Sequence, residues 1–456
     1  MTTLRSHPPT PKWAIALLLI LAGATGALVV VSPVAAVSAQ LLLIGGIVLM
    51  RYEHLSEFLV GAYWITFCAY ETIFKDVQID GLFYPFYALM LVGILLRVGF
   101  AEIRKPRITI FWYVAFLLVV LLSFVGFTDP IAFAVIQRIL AYVFGLLIVL
   151  QVASQRGVTV VAHMAILSST ILSVWVIVVA IQGGFAYRGG VEGDQNVIAM
   201  FIGLGAVIAF GRSVHGLVTR NAGATALSLL LSAVSIYALL LLASRGITIA
   251  FAITAGAMFV RLVAQAPKTV LPTLLLVVAL SGASFLLPGG SSLVQRFSGE
   301  RVESGGSRLP LWEATWSAYT ESDATQLLIG HGFDSSKALI RQVSYNLTST
   351  HNAYFQVLYE FGLAGLAVFL ALHAAIMFVS WRIPSPSGWE AFALVWFLLG
   401  SALTINVPDG FMYWTALGFT LAVVTWIPTA VSRSTRGRRA HPSGSAPGRQ
   451  LGTEGS

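Results

Sequence analysis

Gly330–Gly365 reads GHGFDSSKALIRQVSYNLTSTHNAYFQVLYEFGLAG, and within it a long polar segment gives way to an apolar run of membrane-spanning length. His351 and Asn352 stand at the seam. The polar segment reaches back to about Pro288, and no other of that length lies between the first and last apolar runs. It opens with Pro288-Gly289-Gly290-Ser291-Ser292 and carries Arg296, Arg301 and Arg308. Leu309, Trp312, Trp316 and Tyr319 then recur at helical spacing, while Glu313, Ser317 and Glu321 fall on other faces. Pro310 suits a first helical turn. The spacing predicts a short amphipathic helix lying on the membrane interface, its aromatic face turned to packing or headgroups.

Outward from this seam the chain is apolar span and short connection. Of 456 residues, 57% are hydrophobic and 10% charged, and the mean hydropathy is +0.85. A soluble domain carries about 25% charged residues. The apolar runs recur at about 20 residues, enough to cross a hydrocarbon core about 30 Å thick. Backbone groups in lipid must be paired within their own segment, so the runs are helices. The reading is all-α: a polytopic membrane bundle of roughly 12 to 14 spans. They fall near 13–31, 34–50, 56–74, 82–98, 110–127, 131–152, 158–182, 195–211, 225–243, 246–263, 269–287, 353–381, 389–407 and 411–431. Four regions follow: an N-terminal bundle over 1–287, an outer loop over 288–352, C-terminal spans over 353–431, and a disordered basic tail over 432–456.

The net charge of +8 is a membrane signature and not a nucleic-acid one. With the N-terminus placed inside, the inner connections and tails gather Arg104, Lys105, Arg107, Arg212, Arg220, Arg261, Lys268, Arg382 and the tail arginines. The short outer loops hold only Lys75, Arg188 and Arg245. This is the positive-inside bias. It puts both termini in the cytoplasm and 288–350 outside. The lone Cys68 excludes a disulfide framework and a cysteine metal site. Trp13–Val31 is longer than a signal-peptide core and a second span follows directly, so it reads as a span.

Few polar residues interrupt the first seven spans. Glu57 and Glu71 lie near span ends and read as snorkelling. Arg138 lies inside the sixth span, where an arginine needs an anionic partner or water. The loop Tyr187–Asn196 holds Arg188, with glycines that let backbone approach a ligand. Glu192 and Asp194 form either a solvated acidic loop pairing with Arg188 or a divalent-cation pair. Ser244-Arg245-Gly246 joins two apolar runs. A turn needs Gly, but not an arginine, which is either an interfacial group or a cation at the mouth of a cavity.

Arg188, Arg245, Arg308 and His351 thus fall on one side of the membrane. Planar guanidinium forks suit phosphate oxygens, and a histidine is the natural base near neutral pH. No glycine-rich nucleotide loop is present, and a phosphorylated lipid donor fits the outer compartment.

At these residues the chain resembles the O-antigen ligase and polymerase superfamily of bacterial membrane proteins. The resemblance runs from about Arg188 to Gly365. It rests on the arginine loop ending in Asn196, on Ser244-Arg245-Gly246, on Arg308 leading into Trp312, and on Gly330-His331-Gly332-Phe333. It closes on His351-Asn352-Ala353-Tyr354 followed by Glu360-Phe361-Gly362-Leu363-Ala364-Gly365. The chain departs from the pattern at Asp194-Gln195-Asn196, where members often have a proline before the asparagine. It also departs in three spans after the loop, where two are usual.

The resemblance implies a glycosyltransferase of the cytoplasmic membrane that takes no nucleotide sugar, cofactor or metal. A glycan on undecaprenyl pyrophosphate would pass to an acceptor hydroxyl, on a lipid anchor or on a growing polysaccharide, at the outer face. By the same resemblance His351 would activate the acceptor and Arg188 and Arg245 would hold the pyrophosphate. Arg308 would help, and Asn352, Asn196 and His331 would support. Such chemistry is self-consistent: displacement at the anomeric carbon builds charge on the leaving pyrophosphate, which fixed cations stabilise. No glycosidase-like pair of carboxylates is then required. A transporter of lipid-linked sugars is the rival. It would show internal repeats and interrupted helices near the midplane, and no repeat is visible.

Overall fold

The structure, a computed structural model, describes residues 108–124, 155–183, 195–275, 308–343, 349–404 and 411–427, with parts of 138–149 and 278–288. Arg188, Glu192, Asp194, Glu57, Glu71, Cys68 and the tail 432–456 lie outside the described residues, as do the first four spans read from the sequence.

Every described element is a helix. They run α1 (Ile108–Leu122), α2 (Gln155–Gln182), α3 (Gln195–Thr219), α4 (Ala222–Leu242), α5 (Arg245–Gln265), α6 (Arg308–Thr320), α7 (Ala324–Ile329), α8 (Ser335–Val343), α9 (Ala353–Trp381), α10 (Pro386–Ala402) and α11 (Phe411–Trp426), with a single 3-10 turn at Pro267–Thr269. Among them α2, α3, α4, α5 and α9 are long and apolar enough to cross a membrane, and α1 and α11 are shorter apolar helices. The protein is an all-α, multi-pass membrane protein.

α3 sits at the centre. From Ile198 to Gly211 it is buried on every face, as expected of a helix that is apolar all round. It packs against α2, α4, α5 and α10. Apolar side chains gain little by leaving lipid for one another, so close approach and interhelical hydrogen bonds matter more here than in water. Ser169 on α2 donates to the carbonyl of Ile202 on α3 at 2.7 Å. On α10, a Cβ at Gly400 would stand 2.7 Å from the Cα of Ala250 on α5.

One end of the bundle is closed by two arginines. Arg212 Nε lies 2.6 Å from Glu390 Oε1, joining α3 to α10. Arg261 is fully buried over the Trp389 ring and donates to the carbonyls of Gly388 and Ile383 at 2.8 and 2.9 Å. The starts of α3, α5 and α9 lie at the other end, where the polar segment packs.

Three expectations need correction there. Among its described residues the polar segment contains three helices and not one. Asp323 caps α7 through a capping box with Gln326, and Ser335–Val343 forms α8. The buried stripe of α6 is Leu311, Thr315 and Tyr319, whereas Leu309 and Trp316 are 38% and 52% exposed. A threonine joins the buried face because its hydroxyl donates to the Leu311 carbonyl at 2.7 Å. At the α4–α5 hairpin the left-handed position is taken by Ala243 (φ 49°) and not by Gly246. Gly246 lies inside α5, where a Cβ would run into Thr404.

Candidate functional site

The seam residue His351 precedes the first turn of α9. Asn352 is the N-cap: its side-chain oxygen accepts from the amides of Tyr354 and Phe355 at 3.0 and 3.2 Å. Such a cap is worth about 1 kcal/mol. Thr350, fully buried, accepts from the Asn352 amide and donates its hydroxyl to the Asn352 carbonyl. Trp312 of α6 donates its indole N–H to the Thr350 carbonyl at 2.9 Å. Between these fixed neighbours His351 is half-buried with φ at 50°, in the left-handed region. Non-glycine residues adopt it uncommonly, though histidine does so more readily than most, and strained positions gather at functional sites.

The candidate cations converge on the same end. Ser244 spends its hydroxyl on Asn196 Oδ1 at 3.1 Å, tying the start of α3 to the α4–α5 turn. Arg245, the first residue of α5, is half-buried beside it. Gly246 abuts Thr404, just past the end of α10. At that end Leu399 accepts from the Tyr354 hydroxyl at 2.7 Å. The starts of α5 and α9 therefore flank one end of α10. Arg308 is the first residue of α6, one helical turn, about 6 Å along the axis, before the Trp312 that anchors Thr350. Arg245, Arg308, Asn196 and His351 thus all stand at or beside helix starts at one end of the bundle. Arg188 lies outside the described residues, although the Asn196 that closes its loop is in place.

Both described arginines open a helix. A cation there opposes the macrodipole by about 0.3–1 kcal/mol, so neither is placed for the helix's sake. A helix start combined with a guanidinium favours an anion.

His331 has another role. Its ring stacks on Tyr359 of α9 with centroids 4.1 Å apart and planes 8° apart, and its Nε2 is paired with Ser322 Oγ at 2.9 Å. It is a packing element between α7 and α9. His331→Ala is expected to lower the melting temperature while transfer per folded molecule falls less than about tenfold, since one hydrogen bond is worth about 1 kcal/mol. Steady-state transfer normalised to folded protein checks this.

The residues that sequence reading missed are the partners of Arg138. This arginine is 2% exposed and pairs with Glu360 of α9, itself fully buried, and with Asp334 at 3.3 Å. Its guanidinium also lies 4.4 Å from the centre of the Phe333 ring. The signal available was charge itself: an arginine within one span requires an anion, and Glu360 is a carboxylate within another.

These features define a polytopic helical membrane protein with His351, Arg245 and Arg308 at helix starts on the end where the polar segment meets the bundle. Residues 229–370 match a family model described as O-Antigen ligase. That stretch spans most of α4, all of α5, the polar segment with its three described helices, and α9 as far as Leu370. The match covers about a third of the chain and supports a relationship to the O-antigen ligase superfamily. No curated protein matches the chain.

Proposed function

We propose that the protein transfers a glycan from undecaprenyl pyrophosphate to an acceptor hydroxyl at the outer face of the bacterial cytoplasmic membrane. The superfamily supports membrane glycan transfer of the ligase or polymerase type and lipid-linked glycan substrates. The observation that carries the finer reading is the convergence of His351, Arg245 and Arg308 on one end of the bundle, with both arginines at helix starts.

In this reading the acceptor oxygen attacks the anomeric carbon and the bond from that carbon to the diphosphate oxygen breaks. The acceptor proton passes to a ring nitrogen of His351. The electron pair leaves with the diphosphate, whose growing charge is met by Arg245, Arg308 and, from its loop, Arg188. Diphosphate is a good leaving group, so neither a metal nor an acid is needed. Reconstituted protein given a labelled lipid-linked glycan should form a covalent product with its acceptor, and excess chelator should not slow it. Movement of the glycan across the bilayer without a new bond would instead mark a transporter.

Orientation is tested separately. Ala338 is exposed on α8. In a Cys68→Ser background, Ala338→Cys should react with an impermeant thiol reagent in whole cells. Ser443→Cys, in the tail, should react only after the membrane is opened. The reverse pattern would put His351 and the arginines on the wrong face for a lipid-linked glycan.

A further inference from the structure

α9 is not one continuous helix. Gly362 has φ 64° and ψ −168°, which interrupts it eleven residues beyond His351. A break of this kind leaves carbonyls before it without helical donors. Here the polar segment supplies the donors: the His331 amide binds the Tyr359 carbonyl at 2.9 Å, and the Gly332 amide binds the Glu360 carbonyl at 3.0 Å. The approach is backbone to backbone. Gly330 has φ 82°, and a Cβ there would run into the Glu360 carbonyl, while one on Gly362 would run into Leu328. The Gly330-His331-Gly332 turn and the Glu360-Phe361-Gly362 break, distant in sequence, are two halves of one joint.

Glu360 fixes that joint. Its Oε2 accepts from Arg138 Nη2. Its Oε1 accepts from Ser336 Oγ of α8, from Gln356 Nε2 and from Arg138 Nη1. A fully buried carboxylate held by that many donors is committed to its neighbours. It joins three parts of the chain: the segment holding Arg138, the polar segment through Ser336, and α9. The short half-helix from Ala353 to Phe361 is thereby fastened at its far end by Glu360. At its near end it is fastened by Asn352, Thr350 and the Tyr354–Leu399 bond.

We propose that Glu360, with Arg138 as its counter-ion, is a positioning residue for transfer, holding the His351 half-helix and the polar segment in a single register through the Gly330–Gly332 turn. The role in transfer rests on the function proposed above. The geometry of the clamp does not.

The test uses the full chain in lipid nanodiscs, with Glu360→Gln and Gly330→Ala. Gly330→Ala opens the joint from the polar side without leaving a buried charge unpaired, so it decides the matter if Glu360→Gln fails to accumulate. Hydrogen exchange of a peptide containing the His331 and Gly332 amides should speed up at least about tenfold in each variant, because their bonds to α9 open locally. With a lipid-linked glycan donor, kcat should fall at least about tenfold, since misplacing a reacting group by about 1 Å costs on that scale or more. KM for the donor should stay within about threefold, as expected when only transition-state contacts are lost. Unchanged exchange in Gly330→Ala would overturn the clamp. Faster exchange with full kcat would overturn the positioning role. A wild-type chain with protected amides but no transfer would overturn the functional reading and the role in transfer with it, leaving the clamp standing.

Discussion

His351→Ala is expected to leave a folded, membrane-inserted protein that binds lipid-linked donor but transfers glycan at least about a hundredfold more slowly. A positioned general base contributes about 10²–10⁴-fold. The assignment rests on placement. His351 is half-buried at the seam, held in a left-handed backbone between Thr350 and Asn352, at the end where Arg245 and Arg308 open their helices. The left-handed backbone adds a control. Alanine is disfavoured there by about 1–2 kcal/mol, whereas asparagine visits it more readily. His351→Asn should therefore accumulate better than His351→Ala, yet be just as slow per folded molecule. A base must be unprotonated to work, so wild-type transfer should fall toward acid pH, and the residual activity of His351→Asn should lack that limb. Near-normal transfer by either variant would end the general-base assignment. Loss of donor binding instead would move His351 into the phosphate site.

The sequence showed most where the signal was local. Asn352 followed by an apolar run marks a helix start, and α9 begins at Ala353 and ends at Trp381 as read. The α4–α5 hairpin was legible from two apolar runs and a short turn, although Ala243 makes the turn and Gly246 serves a helix contact. The capping box Asp323–Gln326 was equally local and marks α7, but the reading passed over it. The buried face of α6 was only partly legible, because spacing alone cannot say that the Thr315 hydroxyl finds a partner and can be buried. Long-range pairing was the least legible. Arg138 and Glu360 are 222 residues apart in the chain. Periodicity carries nothing over that distance, and only the cost of an unpaired charge in a span pointed to a partner. The same holds for the joint at Gly362. Its two glycine-bearing motifs were each visible, but only the fold brings Gly330 onto the backbone of Glu360.

Arg245→Ala is expected to reduce transfer about 10- to 100-fold or more, because one charge-assisted hydrogen bond to the diphosphate is worth about 1.5–3 kcal/mol. The structure strengthens the case beyond the scarcity of outer-loop cations. Arg245 opens α5, where the macrodipole disfavours it, and Ser244, which would ordinarily cap that helix, gives its hydroxyl to Asn196 instead. The α5 start is thus left with its own amides and a guanidinium, an arrangement suited to an anion. Because the charge on the diphosphate grows as the anomeric bond breaks, the loss should fall on kcat as well as on donor affinity. Lysine keeps the charge but not the planar fork, so Arg245→Lys should recover part of the activity and not all of it. Arg245→Gln, which keeps length and hydrogen bonding but not charge, should resemble alanine. The bundle should tolerate all three, since Arg245 is only half-buried and the hairpin is held by Ala243, Ser244 and Gly246. Normal glycan transfer by Arg245→Ala in membranes containing equal protein would remove Arg245 from the phosphate site. Full rescue by lysine would reduce its part to a point charge.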